Sequence, residues 1–421
     1  MYQKSTLENG LRIVTAPMPH VRSVTISLFV GSGSRYEPAE QSGISHFVEH
    51  VVFKGTRHFP TSEAVAEAVE GVGGVLNGGT DKELTIYWAK VMKNHLRLAM
   101  QVLADLVRFP LFDRSEVEKE RQVILEEINM SLDSPQQWVN MLIDEVVWPD
   151  QPLGRDVAGA RDTVCALTEA HLRSYWERQY GPGNIVITVA GDVGHEDVRA
   201  MAEELFGDWD GGAPAPWFPA DELQDRPRLR LENRDSEQVH LCIGLRGVSS
   251  DHPDRFIFDV LNVILGEGMS SRLFRELREN KGLVYDVHSY VNHYFDSGSL
   301  TIYAGIGMGN LEAATGAILN ELVRLKEQPV PESELAKAKE MVKGRLVLRM
   351  EDSRSVAGWV GSQELLLGKI KTVDEVVSIV ETITPADLHR VACNYFSSNR
   401  LSVAAVGPNL NEDRLRRLLV L

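Results

Sequence analysis

Apolar and polar positions alternate from Val24 to Val30, the pattern of a half-buried strand, and similar runs recur at Ile185 to Gly191 and Leu401 to Gly407. Between such runs lie longer stretches whose apolar residues fall three and four apart, as helices require. Many of these runs repeat at a constant shift of 216 residues. Val24 to Gly31 then meets His240 to Gly247, and Ile185 to Gly191 meets Leu401 to Gly407. Leu167 to Leu172 meets Ile383 to Leu388, and Glu196-Asp197 meets Glu412-Asp413. The helix expected from Ser115-Glu116 has a counterpart at Ser333-Glu334, two residues off register. The pattern predicts an α+β protein of two homologous units, each a mainly antiparallel sheet packed against helices.

A stretch rich in proline and glycine, residues 206–228, separates the copies and reads as a linker. The expected division is therefore 1–207, a linker over 208–228, and 229–421. Composition adds that the chain is globular, with 43% hydrophobic against 25% charged residues. The net charge of −16 and the lack of a basic stripe speak against nucleic acid as a partner. No apolar run reaches the ~18 residues of a membrane span, and none at the start has the character of a secretion signal. Cys165, Cys242 and Cys393 are widely spaced and form no Cys-x-x-Cys, which suits a reducing compartment and suggests buried apolar fillers. A cytoplasmic location is expected.

Candidate chemistry concentrates in residues 42–54. Ile44, Phe47, Val48, Val51 and Val52 fit the apolar stripe of a helix. At about 100° per residue, His46, Glu49 and His50 cluster on the opposite face. Two imidazoles one turn apart can reach a single metal ion, with a carboxylate beside it. A second helix is expected over residues 115–130, opened by a capping box of Ser115 and Glu118. Its stripe is Val117, Ile124 and Ile128. Glu120 and Glu127, seven apart, share a face beside that stripe, where a carboxylate is partly desolvated and needs a cation or hydrogen bonds.

His46-x-x-Glu49-His50 followed 76 residues later by Glu127 resembles the inverted zinc-peptidase signature of the pitrilysin (M16) family. The resemblance continues through Gly73 to Thr80 with Glu83, Thr85 and Tyr87, similar to that family's substrate-docking edge strand. Glu120 to Glu127 is similar to its third-ligand helix. Ser270 to Phe274, with Arg278 through Tyr285, is similar to its second-half substrate motif. It runs nearly end to end, and the chain length suits the mitochondrial-processing-peptidase-like branch.

The resemblance implies a LuxS/MPP-like metallohydrolase fold arranged as a two-unit bowl, and a zinc-dependent endopeptidase acting on unfolded or extended peptides. It implies His46, His50 and Glu127 as ligands of one Zn2+ per chain, Glu49 as general base, and Glu120 as the group that orients a ligand. Asn77, Gly78, Gly79 and Thr80 would bind substrate by adding it to a sheet edge. The sequence departs from the family here, where Ala is common at Gly78 and a larger residue at Gly79. Arg278 and Tyr285 would contact substrate and stabilise the oxyanion, in the same chain or in a partner's site. At the 216-residue shift His46, Glu49 and His50 meet Asn262, Leu265 and Gly266, and Glu127 falls near Arg345, so the second copy is expected to hold no metal. A homodimer is implied, with a heterodimer of homologous chains as the alternative. Two other readings remain open: a non-catalytic subunit, as in respiratory-complex core proteins of this fold, and a zinc hydrolase acting on something other than peptide.

Overall fold

A computed structural model describes residues 2–221 and 223–421. Two compact units form, and each takes segments from both halves of the chain. The first comprises the chain up to Ile128, Asp156–Phe218 and Leu348–Thr372; the second comprises Asn129–Arg155, Pro219–Val347 and Val373–Leu421.

The first unit's sheet uses β1 (Gln3–Thr6), β2 (Arg12–Pro17), β3 (Ser23–Val30), β4 (Val75–Thr80), β5 (Thr85–Met92) and β6 (Ile185–Gly191), in the order β1-β2-β6-β3-β5-β4. The second uses β7 (Arg228–Asn233), β8 (Gln238–Arg246), β9 (Val284–His293), β10 (Gly298–Gly307) and β11 (Leu401–Gly407), in the order β7-β11-β8-β10-β9. Apart from β1 the two orders are the same. Each sheet has one parallel pair, β2 with β6 and β7 with β11, and is otherwise antiparallel. The 216-residue repeat is thus a repeat of topology. Even the caps agree: Thr168 and Thr384 each open a helix with a capping box.

Two elements lie elsewhere than the boundaries 1–207 and 229–421 imply. The chain does cross between units inside the linker, at Phe218 and Pro219. However, the helix Pro135–Val147 packs on β8 and β11 of the second unit, and Ser353–Leu367 packs on β3 and β6 of the first. Glycine permits both contacts. A Cβ on Gly361 would lie 2.1 Å from the Phe29 ring, and one on Gly244 would lie 2.9 Å from Val147 Cγ2. Each helix seals a sheet face lined by residues such as Phe29 and Val186, or Cys242 and Ala404, whose burial supplies core free energy at about 25 cal/mol per Å².

The cysteines also differ from expectation. Cys242 is buried in the second core, but Cys165 and Cys393 are exposed on the solvent sides of the helices Arg161–Ala166 and Pro385–Tyr395.

Candidate metal centre

The helix Ile44–Val52 buries Ile44, Phe47, Val48, Val51 and Val52 almost completely, which leaves His46, Glu49 and His50 on its other side. The helix Arg114–Asp133 buries Val117, Ile124 and Ile128 and thereby brings up Glu120 and Glu127. Its start is not the expected box. Asp113 accepts from the backbone amides of Ser115 and Glu116, so Asp113 is the cap. Glu118 is taken by Arg121 at 3.0 and 3.1 Å.

His46 Nε2 and His50 Nε2 face each other at 3.1 Å. One oxygen of Glu127 stands 3.8 Å from the first nitrogen and 3.7 Å from the second. His50 Nδ1 meets Glu120 at 3.1 Å, and Lys54 holds the other Glu120 oxygen at 2.8 Å. Among the described residues, one set of three His, Cys, Asp or Glu side chains has its donor atoms within 4.8 Å of one another: His46, Glu49 and His50.

This arrangement fits a divalent cation. Two opposed imidazole nitrogens must share one proton or leave two lone pairs in conflict, and a cation between them relieves both problems. Two imidazole nitrogens and a carboxylate oxygen form a donor set that suits zinc. Burial, and then the neighbouring His50, push His46 down to about 3, so it is a neutral donor at physiological pH. Burial also pulls His50 down, but its Glu120 bond and the Glu49 and Glu127 carboxylates outweigh this and raise it. Glu49 is raised by burial and by Glu127, against the opposing pull of His50 and a hydrogen bond from Thr80.

The expected substrate residues line the same space. His46, Glu49, His50 and Glu120 share a cavity of about 600 Å³ with Asn77, Gly78, Gly79 and Thr80 of β4. β4 closes the sheet's order, with β5 its paired neighbour. The Gly78 amide donates to the Asn77 side chain at 2.8 Å. A Cβ at Gly78 would lie 2.6 Å from Glu49 Oε1 and 2.9 Å from the Phe53 ring, so the missing side chain makes room for the Glu49 carboxylate. At Gly79 a Cβ would meet only Ile86, at 3.9 Å. Glu83 ion-pairs with the fully buried Arg35, Thr85 donates to the Ser32 carbonyl at 2.9 Å, and the hydroxyls of Tyr87 and Tyr180 lie 2.7 Å apart.

Arg278 and Tyr285 belong to the second unit. Arg278 lies on a π-helical turn, Phe274–Asn280, its guanidinium 4.9 Å from the Phe274 ring centre. Tyr285 lies where the β9–β10 register slips: Gly305 pairs with Asp286 and Ile306 with Val284, so Tyr285 is the extra residue of a bulge. It is 70% exposed. Such irregularities re-aim side chains and are common at functional sites. At the positions matching the metal cluster, the Asn262 side chain bonds Ser289 and Glu267, Leu265 is buried, and a Cβ on Gly266 would lie 2.4 Å from Ser289 Oγ. Arg345 ion-pairs with Glu267. Leu265 and Gly266 offer no side-chain donor, and the Asn262 amide is held by Ser289 and Glu267.

A family model described as "Insulinase (Peptidase family M16)" matches residues 12–161, and one described as "Peptidase M16 inactive domain" matches residues 166–342. The chain belongs to peptidase family M16. Among M16-like relatives, the "Uncharacterized zinc protease YmxG" of Bacillus subtilis is 37% identical over 98% of this chain and 99% of its own. The crystal structure of a protease from Helicobacter pylori superposes with a TM-score of 0.92 at 26% identity, over 97% of this chain and 100% of that one. Complex III2 from Candida albicans contains a chain of the same fold, with a TM-score of 0.86 at 20% identity and full coverage of both.

Sequence reasoning missed Lys54, which holds Glu120, and a second residue beside the M16 motif. Glu37, fully buried, accepts from the amides of Gly43 and Ser45 at 2.8 Å each, at the start of the histidine helix. It lies outside that helix, so periodicity carries no sign of it.

Proposed function

We propose that this M16 protein is a zinc-dependent endopeptidase that hydrolyses extended peptides laid along β4. The observation that carries this reading is one cavity holding both a buried carboxylate between two histidines and an open sheet edge. His46, His50 and Glu127 would hold one Zn2+ per chain. Zinc bound there would lower the pKa of a water and polarise the scissile carbonyl. Glu49, raised by burial, accepts the attacking water's proton and delivers it to the leaving amine. Glu120, steadied by Lys54, fixes the ring orientation of His50 through Nδ1.

The substrate's backbone would pair with β4 from Asn77 to Thr80, displacing the Asn77 side chain from the Gly78 amide. Gly78 has a further use in this reading, since it keeps the edge strand clear of Glu49. Replacing Gly78 by Val is expected to cost about 10²-fold in kcat, through displacement of Glu49, with zinc content unchanged. Wild-type turnover in that variant would show that Glu49 does not depend on the gap.

Arg278 and Tyr285 are proposed to donate to the oxyanion and the substrate, a suitable task for a guanidinium and a phenol. In a homodimer these groups could serve the partner's site, and mixing E49Q chains with Y285F chains would restore activity if they do. The free thiols suit cytoplasmic work, and no described helix is long and apolar enough to cross a membrane.

An internally quenched peptide library, with zinc measured on the same sample, tests the function. Cleavage that stops on chelation and returns with added zinc is expected. Peptides methylated on alternate backbone nitrogens should lose competition, because they cannot pair with β4. A zinc-loaded protein that cuts small esters but no peptide would favour a different hydrolase.

A further inference from the structure

We infer that Glu37 is a positioning residue for the metal pair, acting through the first turn of the histidine helix; this rests on the zinc reading above. His46 is the third residue of that helix, and the turn that carries it begins at Gly43. A helix start leaves amide donors without intrahelical partners, and a side chain at the cap position ordinarily takes one of them. Gly43 cannot supply that side chain. Its φ of 94° is in the left-handed region, and a Cβ would lie 2.5 Å from the Ala158 carbonyl oxygen. Glu37 caps the turn from outside the helix. One carboxylate oxygen takes the Gly43 amide and the other takes the Ser45 amide, each at 2.8 Å.

The negative charge also lies at the positive end of the helix dipole. Ser45 is held a second time, by its hydroxyl against Tyr175 at 2.7 Å. Glu37 has a fixed base as well. Two residues earlier, the Arg35 amide donates to the Lys82 carbonyl at 2.8 Å, and the Arg35 guanidinium pairs with Glu83, both in the turn between β4 and β5. The segment that caps the helix is thus tied to the hairpin that carries the edge strand. If the first turn frays, His46 moves while His50, one turn further on and bonded to Glu120, stays. A two-histidine site would then be reduced toward one.

The test reads metal binding rather than turnover. Zinc affinity is measured by chelator competition, and the visible spectrum of the cobalt-substituted protein reports the ligand set, for wild type, Glu37→Gln, Ser45→Pro and Val198→Ala. Glu37→Gln removes the charge and one acceptor. Ser45→Pro removes the amide donor, where proline is tolerated in a first helical turn, and also the hydroxyl bond to Tyr175, so Ser45→Ala, which loses only the hydroxyl, is measured beside it. Val198→Ala is a buried substitution on the helix His195–Phe206 and controls for general loss of stability. Glu37→Gln and Ser45→Pro are expected to weaken zinc binding by about 10- to 100-fold and to shift the cobalt bands, with Val198→Ala matching wild type. Folded Glu37→Gln and Ser45→Pro proteins with wild-type affinity and spectra would overturn the inference. If Glu37→Gln does not fold, the difference between Ser45→Pro and Ser45→Ala decides. A wild type that binds no zinc would instead remove the metal reading itself.

Discussion

Replacing Glu49 by Gln is expected to lower peptide cleavage by about 10²- to 10⁴-fold while zinc remains bound at about one ion per chain. The reason is specific to this side chain. Glu49 is a carboxylate 8% exposed to solvent, hydrogen-bonded by Thr80 and facing the cavity that β4 borders. Burial raises it above the usual carboxylate value, which makes it a better proton acceptor than an exposed carboxylate. Glutamine preserves the shape and the contact with Thr80 but cannot accept the proton. His46, His50 and Glu127 are untouched, so the metal should stay. Measuring kcat and zinc on one preparation separates the two roles. A Glu49→Gln protein that cuts at the wild-type rate would remove Glu49 from the chemistry, and one that loses its zinc would make Glu49 a ligand.

The sequence made the centre legible where the signal is local. One 3.6-residue period sorted Ile44 to Val52 into a buried stripe and a donor face, and the same count placed Glu120 and Glu127 together beside Ile124. The 216-residue repeat anticipated two sheets of matching order. It also placed Asn262, Leu265 and Gly266 where the donors would be; Asn262 bonds Ser289 and Glu267, and Gly266 lies against Ser289. What stayed hidden depends on distance along the chain. Asp113 and Ser115 both look like caps, and only backbone geometry chooses Asp113. The placement of Pro135–Val147 and Ser353–Leu367 in units not their own by sequence has no periodic signature, since each is simply an apolar helix. The bulge at Tyr285 arises from a one-residue mismatch between β9 and β10, which neither strand records alone.

The fold by itself does not decide between peptidase and scaffold, because Complex III2 from Candida albicans contains a chain of this fold. The donor set bears on that choice more directly. A scaffold gains no stability from opposed imidazoles beside carboxylates at this degree of burial, which is costly unless a cation is supplied. That the donors are present in the first unit and replaced by Asn262, Leu265, Gly266 and Arg345 in the second favours a metal function in one half.

Replacing His46 by Ala is expected to strip zinc from the protein and reduce cleavage to the uncatalysed background. The remaining donors, His50 and Glu127, form a two-ligand site, and catalytic zinc sites use three protein ligands. His46 is also the better prepared of the two imidazoles. Burial and the His50 charge hold it near 3, so at pH 5 to 7 it carries no proton that zinc must displace. His50 is held above the ordinary imidazole range by Glu120 and its neighbours and does carry one at the lower end of that window. Metal binding to the wild type should therefore release about one histidine proton rather than two as pH falls from 7 toward 5. Zinc binding would then weaken as the pH falls from 7 toward 5. Calorimetry in buffers of different ionisation enthalpy counts the protons directly. Release of two by the Glu49→Gln protein, which lacks the carboxyl proton that zinc could also displace, would mean that His46 titrates normally and that its burial does not prepare it for metal, whereas retention of zinc by the His46→Ala protein would take His46 out of the ligand set.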